Sequence, residues 1–568
     1  MDAGRFGVCA ALLIAGCGGS IDDGVAASQP RDRSDGGNAL GSGSGDDAVA
    51  DDAAGADDRT DPSNPDAPFV ASESVARRLS RAELDAALLD LVGDDTGAAG
   101  QNLPEDFYSP YDNDYTGQLA SAALIDSISE LADDVAARVV NDPRRYARLV
   151  PCTPDGPGDA DCFEQVTRGL LERALRRPID DAEVARYRAL LEFATEDEPA
   201  VDNGFSTAVE LLVRAVIMDP EFLYRIEVGE PTDEPGVYAL DDFEIATRLS
   251  FLIWGAPPDE ALYQDARAGL LREADGRHAA LQRMLQDDRA REQLHRFHAM
   301  WLGYRVIPHS PELAVAFTRE TGALLDRVIL DEPQSYLNLL DFGETYLDEL
   351  LAEHYGLPAP EGGRGWVPYG DSGRAGLLSH GSVLSAFGKF ADTSPTQRGI
   401  LIRTRLLCQT LPPPPPTVMA DQPPGGDDAT CKWDRYEQHR SSTACAGCHA
   451  NMDPIGFGLE NYDLAGRYRE HDDGRPECTI EGTGELPPYG SFSGPAELGR
   501  LLIDSGEVER CVSAQFFQFA VGRAPAPIEE QEIDALTEDF RTAGTLFTEL
   551  LESFVSRAAF ALRREPVE

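Results

Sequence analysis

Basic residues are scarce in this sequence. Its 568 residues include 100 Asp and Glu against 49 Lys and Arg, which gives a formal net charge of −51 at pH 7. Nucleic-acid backbones and anionic lipid surfaces attract positive charge, so this balance argues against direct contact with either. We therefore expect no nucleic-acid partner.

Long apolar segments and two well-known catalytic motifs are also missing. Beyond the N-terminal region, no stretch approaches the roughly 20 apolar residues of a membrane-spanning helix. The sequence contains no phosphate-binding loop and no Gly-x-Ser-x-Gly elbow. Any attachment to a membrane would therefore depend on a lipid.

The one apolar run near the N-terminus has the features of an export signal. Arg5 precedes an apolar stretch from Phe6 to Ala15, and a lipobox-like sequence ends at Cys17. The stretch is too short to cross a bilayer, so we expect residues 1–16 to be a signal peptide. Cys17 would carry the lipid anchor; a plain signal peptide cleaved nearby is the alternative. Gly18, in place of Asp, favours the outer membrane, facing the periplasm or the cell surface.

The next segment predicts a disordered tether. Residues 17–68 comprise the lipidated cysteine and an acidic linker that is rich in Asp, Gly, Ala and Ser and lacks aromatic residues. Such a composition cannot bury enough apolar surface to fold. The tether would hold the folded part of the chain away from the membrane.

One short motif carries most of the chemistry. Cys445-Ala446-Gly447-Cys448-His449 has the spacing by which c-type haem is attached. Each thiol adds to one vinyl group, and the adjacent imidazole of His449 becomes the proximal iron ligand. A redox disulfide or a zinc site is the alternative, although no second Cys-x-x-Cys or His-x-x-x-His supplies further zinc ligands.

The second axial ligand is left open by the sequence. His439, six residues before Cys445, could fold over the opposite face of the haem, or remain a surface histidine. Met452 is too close to His449 to reach that face, and Met419 and His471 are more distant candidates. An empty sixth position would instead suit oxygen or peroxide chemistry.

Arginines after the motif are candidate partners for the haem propionates. Arg467 and Arg469 could bind carboxylates bidentately, and Arg398 is a weaker candidate. Ordinary salt bridges with Glu460 and Asp463 are the alternative. The stretch from Asp453 to Gly458 predicts a turn that packs an aromatic ring near the haem edge, with glycines permitting close backbone approach.

The remaining cysteines predict disulfides and therefore an oxidising compartment. Apart from Cys9 in the signal, Cys17 and the motif pair, six are left: Cys152, Cys162, Cys408, Cys431, Cys478 and Cys511. Six cysteines allow fifteen pairings. Closeness in sequence suggests Cys152 with Cys162, Cys408 with Cys431 across the proline run Pro412–Pro416, and Cys478 with Cys511.

Apolar residues recur at helical spacing along most of the chain, and strand signals are sparse. The predicted helices are Leu79–Leu91, Phe163–Leu175, Val184–Phe193, Phe205–Val216, Phe243–Trp254, Ala279–Leu285, Gln293–Leu302, Thr321–Leu340 with a break before Pro333, Ala496–Ile503, Val508–Val521 and Leu546–Leu562. Ser80 and Glu83 form a capping box before the first. The fold class is therefore mainly α: a helical body with a C-terminal cytochrome c-like helical module, joined by the proline run.

The order of motifs resembles a family of exported, multidomain haem-motif proteins of planctomycetes and myxobacteria. These are built from the domains of unknown function 1587, 1595, 1592, 1588 and 1585. The matching stretches are, in that order, Arg78–Leu84 with Asp90–Gly93; Arg173–Pro178 with Pro220–Arg225; Arg248–Trp254 with Pro258–Asp259, Trp301–Leu302 and His354–Gly356; Ser394–Gly399, the proline run and Cys445–Asp463; and Phe492–Gly494 with Cys511–Arg523. The resemblance covers about residues 70–565 and implies domains at 69–150, 151–230, 238–370, 371–470 and 471–568. It implies export and helical structure, but no particular activity.

The leading hypothesis is an exported lipoprotein with one covalent haem c that transfers electrons at the cell envelope, with a possible redox partner protein. A single motif excludes a two-haem relay within the chain. The alternatives are a surface binding or scaffold protein in which the motif is a zinc or disulfide site, and a haem oxidase or peroxidase with an open iron.

Overall fold

Helices make up most of the structure, a computed structural model that describes residues 71–195, 204–389, 391–414, 430–472 and 474–566. The α-helices are α1 Arg81–Val92, α2 Ala98–Asn102, α3 Ala122–Asn141, α4 Pro143–Leu149, α5 Ala160–Leu175, α6 Asp181–Thr195, α7 Phe205–Ile217, α8 Pro220–Leu223, α9 Asp242–Ile253, α10 Glu260–Arg267, α11 Ala274–Met284, α12 Asp288–Trp301, α13 Pro311–Asp326, α14 Asn338–Asp341, α15 Glu349–Tyr355, α16 Gly381–Ala386, α17 Pro395–Leu401, α18 Lys432–Arg435, α19 Glu437–Ser441, α20 Thr443–His449, α21 Asp453–Phe457, α22 Gly494–Ser505, α23 Val508–Val521, α24 Glu530–Thr542 and α25 Phe547–Ser556. The predicted mainly α fold class is confirmed.

The strands in the described ranges are short and pair antiparallel. They are β1 Arg77–Arg78, β2 Tyr224–Arg225, β3 Glu230–Pro231, β4 Val237–Ala239, β5 Glu344–Asp348, β6 Arg364–Pro368, β7 Gly388–Lys389, β8 Asp392–Thr393, β9 His471–Asp472, β10 Arg475–Thr479, β11 Thr483–Leu486, β12 Gly490–Ser493 and β13 Leu562–Arg564. Five two-stranded ribbons pair β1 with β2, β5 with β6, β7 with β8, β9 with β10 and β11 with β12, and β13, β4 and β3 form a three-stranded sheet.

Local signals explain where several predicted helices begin and end. Ser80 and Glu83 form the predicted capping box of α1, and Gly93 ends that helix in the left-handed conformation, with φ at 71°. Helix α13 starts ten residues before the predicted start, because Ser310 caps it and Pro311 occupies its first turn. The predicted break before Pro333 is confirmed by a π-helical turn that ends at Asp331.

Helix α3 was missing from the sequence-based prediction although it is the longest helix of the described ranges. Its buried positions include Leu124, Ile128, Leu131 and Val135, which follow the 3.6-residue period of an amphipathic helix. The signal was therefore present in the sequence.

Two large cores organise these elements. One gathers buried side chains between Leu79 and Leu223, together with Phe251. The other contains Tyr111 and buried side chains from Leu240 to Phe560, among them Leu407, before the proline run, and Ile455, after the Cys-x-x-Cys-His motif. This second core therefore contains residues from both sides of the proline run, which is described only through Pro414. The run does not separate one core from the other.

Several predictions fall outside the described residues. These are the signal peptide 1–16, the lipidation site Cys17, the tether to residue 68, and Met419. Among the described helices, none has the length and apolar character needed to cross a membrane.

A carboxyl group lies wholly buried where α13, β5 and α15 meet. Glu320 accepts hydrogen bonds from the hydroxyl of Thr345 at 2.6 Å and from that of Tyr355 at 2.7 Å. Burial is the largest influence on this group, and it raises the pKa of Glu320 to about 7 despite those hydrogen bonds.

This carboxyl group is expected to make stability depend on pH. Between the ordinary pKa of 4.5 and the native value of about 7, the folded protein keeps a proton that the unfolded chain has released. The free energy of unfolding should therefore fall as pH rises through this window, by on the order of 2–3 kcal/mol. Glu320→Gln should remove that fall in urea unfolding compared at about pH 5 and about pH 8. An identical fall in Glu320→Gln would contradict this, and exposed Glu312→Gln on the same helix is the control.

Candidate functional site

The predicted haem-attachment motif lies on helix α20. Cys445 and Cys448 are three residues apart and His449 is four residues from Cys445, so the helix brings the three side chains to one face. Both cysteines are half-buried free thiols. The other six described cysteines are all joined in disulfides.

A buried carboxylate holds the imidazole of this motif. Nδ1 of His449 lies 3.0 Å from Oδ1 of Asp453 and Nδ1 of His439 lies 3.0 Å from Oδ2. The hydroxyl of Thr396 donates to Oδ1 at 2.6 Å. Because a carboxylate only accepts, each Nδ1 carries the hydrogen in these bonds. Burial alone would raise the pKa of Asp453, but these three donors outweigh it and lower that pKa.

His439 lies beside His449. The two ring centroids are 3.8 Å apart, and both rings share the Asp453 carboxylate. Imidazoles on opposite faces of one iron, each with a nitrogen about 2 Å from the metal, would have centroids roughly 6 Å apart. The described structure places the two rings side by side, and the role of His439 as a ligand on the opposite face of a haem stays a prediction.

Short contacts between α17 and α21 fix the position of Asp453. A Cβ on Gly399 would lie 2.0 Å from the carbonyl oxygen of Met452, and one on Gly456 would lie 1.9 Å from that of Pro395. Only glycine permits this backbone approach. The close approach predicted for the glycines after the motif is found at Gly456, and the predicted turn is the short helix α21.

An aromatic cluster lies next to the histidines. Phe457 packs against Trp433 at 4.7 Å and against Tyr436 at 5.4 Å between ring centroids. Tyr436 in turn contacts His439 edge to face at 4.9 Å. Trp433 is half exposed, so this cluster extends from the histidine pair to the protein surface.

The arginine predictions have different outcomes. Arg469 donates to Oε2 of Glu460 at 3.0 Å, and Arg398 donates to Oε1 at 3.1 Å. Both therefore make the salt bridges that were the alternative to binding haem propionates. Arg467 is exposed, and its role as a propionate partner stays a prediction.

Glu460 is the centre of a buried ion cluster. Besides the two arginines, it accepts hydrogen bonds from Lys432 at 3.1 Å and from Thr393 at 2.6 Å. Burial favours a raised pKa, yet the charges of Arg398, Lys432 and Arg469 prevail and lower the pKa of Glu460. The cluster ties strand β8 and helices α17 and α18 to the segment after the motif.

The disulfides correct two predicted pairings. Cys152 is bonded to Cys162, as closeness suggested. Cys408 is bonded to Cys511 and Cys431 to Cys478, so the pairings of Cys408 with Cys431 and of Cys478 with Cys511 are wrong. The reason is tertiary packing: the π-helical turn 402–406 that follows α17 contacts α23, which carries Cys511, and Cys431 is bonded to Cys478 on strand β10.

Among the described residues, two clusters have metal-ligand chemistry. One is His439, His449 and Asp453, whose ligand atoms lie within 4.8 Å of one another. The other contains Cys431 and Cys478, which are bonded to each other and so are not available as thiolates.

Sequence reasoning missed the roles of Asp453 and Thr396. Asp453 follows His449 by four residues, a spacing that often brings side chains together, and this was the available signal. Thr396 is far away in sequence and had no signal. Its contact depends on the packing of α17 against α21.

Comparison with protein families gives five matches in order along the chain. They are Protein of unknown function (DUF1587) at 77–141, DUF1595 at 162–227, DUF1592 at 240–357, DUF1588 at 374–472 and DUF1585 at 490–560. The chain therefore contains matches to all five domains, in the order that the sequence motifs indicated. The DUF1588 domain, which contains the motif, carries the name PSCyt3 and is grouped with cytochrome-related domains. No curated protein and no solved structure matches the chain.

Proposed function

We propose that this protein carries one covalently bound haem c and transfers electrons at the cell envelope. Cys445 and Cys448 would form the thioether bonds, and His449 would be the axial ligand. The observation that carries the proposal is that these two thiols are unpaired and share a helix face with His449, whereas the other six described cysteines form disulfides.

The donor set of the site fits a haem. Asp453 holds Nδ1 of His449, and among the described residues no hydrogen-bond partner faces Nε2, which leaves this nitrogen for a metal. A haem supplies reversible one-electron chemistry. The protein would bind it, fix the imidazole and cover part of its surface. Arg467 remains the proposed propionate partner.

Export and anchoring are part of the same proposal. Three disulfides suit an oxidising compartment, where c-type haem is also attached. Cleavage after residue 16 and lipidation of Cys17 would anchor the protein in the outer membrane, facing the periplasm or the cell surface. A redox protein in the same compartment would be its partner.

A bound metal ion is the second candidate. Two imidazoles and one carboxylate in His439, His449 and Asp453 are ligands that zinc and non-haem iron accept. In that case the protein would be a surface binding or scaffold protein, and the two thiols would be further metal ligands or would form a disulfide.

Haem content separates these candidates. The chain should be expressed with its export signal in a host that matures c-type haem, and the pyridine haemochrome spectrum of the denatured protein recorded. We expect one covalent haem per chain and no stoichiometric zinc or non-haem iron by elemental analysis. A protein without haem that holds one such metal ion would overturn the redox proposal.

A further inference from the structure

The three hydrogen-bond donors around Asp453 have a consequence for the iron site. The carboxylate is buried with 2 % of the residue exposed, and its donors are His449, His439 and Thr396. A carboxylate that accepts the Nδ1–H of a ligand histidine fixes its tautomer and makes Nε2 a stronger donor. A stronger nitrogen donor favours the more highly charged, oxidised metal.

We infer that Asp453 is a positioning residue that holds His449 and favours ferric over ferrous haem, and that His439 and Thr396 moderate this effect by sharing the same carboxylate. The inference rests on the proposed function, because it concerns the haem that His449 would bind. It gives His439 a role that needs no contact with iron, which agrees with its place beside His449.

The surroundings of Asp453 make this arrangement rigid. Asp453 begins α21, whose backbone touches that of α17 at Gly456 and Gly399. Thr396 lies on α17, so the same packing that fixes the carboxylate also supplies one of its donors. His439 comes from α19, which packs on α20. The carboxylate therefore cannot turn towards one donor without leaving another.

Because several donors share the Asp453 carboxylate, removing the carboxylate and removing one donor should shift the reduction potential in opposite directions. Asp453→Asn removes the negative charge and should raise the reduction potential. His439→Phe keeps a ring against His449 but removes a competing donor, so the carboxylate would bind His449 more strongly and the potential should fall. A general loss of order at the site would instead shift the reduction potential of both variants in the same direction.

The test is redox titration of the full-length haem protein and its variants. We expect Asp453→Asn to shift the equilibrium at least about ten-fold towards ferrous haem, which is about 59 mV for one electron. His439→Phe and, more weakly, Thr396→Val should shift it the other way. The iron–histidine stretching frequency of the ferrous protein in resonance Raman spectra should fall in Asp453→Asn. Glu437→Gln, which removes an exposed carboxylate from α19, is the control and should leave the potential unchanged.

The outcomes distinguish this inference from the proposed function. Covalent haem with an unchanged potential in Asp453→Asn, or equal shifts in Asp453→Asn and His439→Phe, would overturn the inference alone. A change from six-coordinate to five-coordinate iron in His439→Phe would also overturn it, by making His439 an axial ligand. Wild-type protein without covalent haem would overturn both. If Asp453→Asn fails to mature, the sign of the His439→Phe shift still decides the question.

Discussion

Cys448→Ser and His449→Ala should each abolish the native haem spectrum. In the proposed function, Cys448 would form one of the two thioether bonds, and His449 would supply the imidazole nitrogen that binds the iron. The other residues of α20 are Thr, Ala and Gly, which have neither a thiol nor an imidazole. No other side chain of that helix can therefore replace either function. The measurement is the absorption spectrum of exported protein, together with the fraction of haem that survives acid–acetone extraction.

Gly447→Ala is the matched control for these variants. Gly447 lies between the two cysteines, and a Cβ added there meets no atom within 4 Å. The control should therefore keep one covalent haem and the wild-type spectrum. An unchanged spectrum and unextractable haem in a Cys445→Ser, Cys448→Ser double variant would show that the haem is attached elsewhere, and would contradict this prediction.

Glu460→Gln should lower the free energy of unfolding by about 3–5 kcal/mol. Breaking a buried ion pair leaves its partner as an uncompensated buried charge, and this cost exceeds that of removing both partners. Here one carboxylate forms salt bridges with Arg398, Lys432 and Arg469. Lys432 keeps Asp392 at 2.9 Å, but Arg398 would retain only carbonyl oxygens among its described partners. Denaturant unfolding with the disulfides intact measures the loss.

Two controls distinguish the stability effect of this buried ion cluster from that of surface charges. Glu470→Gln removes an exposed carboxylate ten residues further along the chain and should change stability by less than about 0.5 kcal/mol. The loss in Glu460→Gln should persist in about 1 M salt, because buried pairs are weakly screened. A loss below about 1 kcal/mol, or one that salt removes, would contradict the structural role of Glu460.

Helix positions were largely predictable because their signals are local. The capping box at Ser80 and Glu83, the glycine after α1 and the break before Pro333 each depend on a few neighbouring residues. The short strands were not predictable in this way. Strand β1 pairs with β2 across nearly 150 residues, with Arg77 opposite Arg225, and no local pattern indicates such a partner.

The sequence by itself determined the chemistry of the motif: two thiols and an imidazole at fixed spacing. It also predicted an export signal and disulfides among an even set of other cysteines. Only the tertiary structure decided what surrounds that motif. It placed His439 beside His449, gave Asp453 three donors, assigned Arg469 and Arg398 to Glu460, and paired Cys408 with Cys511. The physical reason is that spacing along one helix is set by the backbone, whereas these contacts join segments distant in the chain, whose approach depends on how the shared core packs.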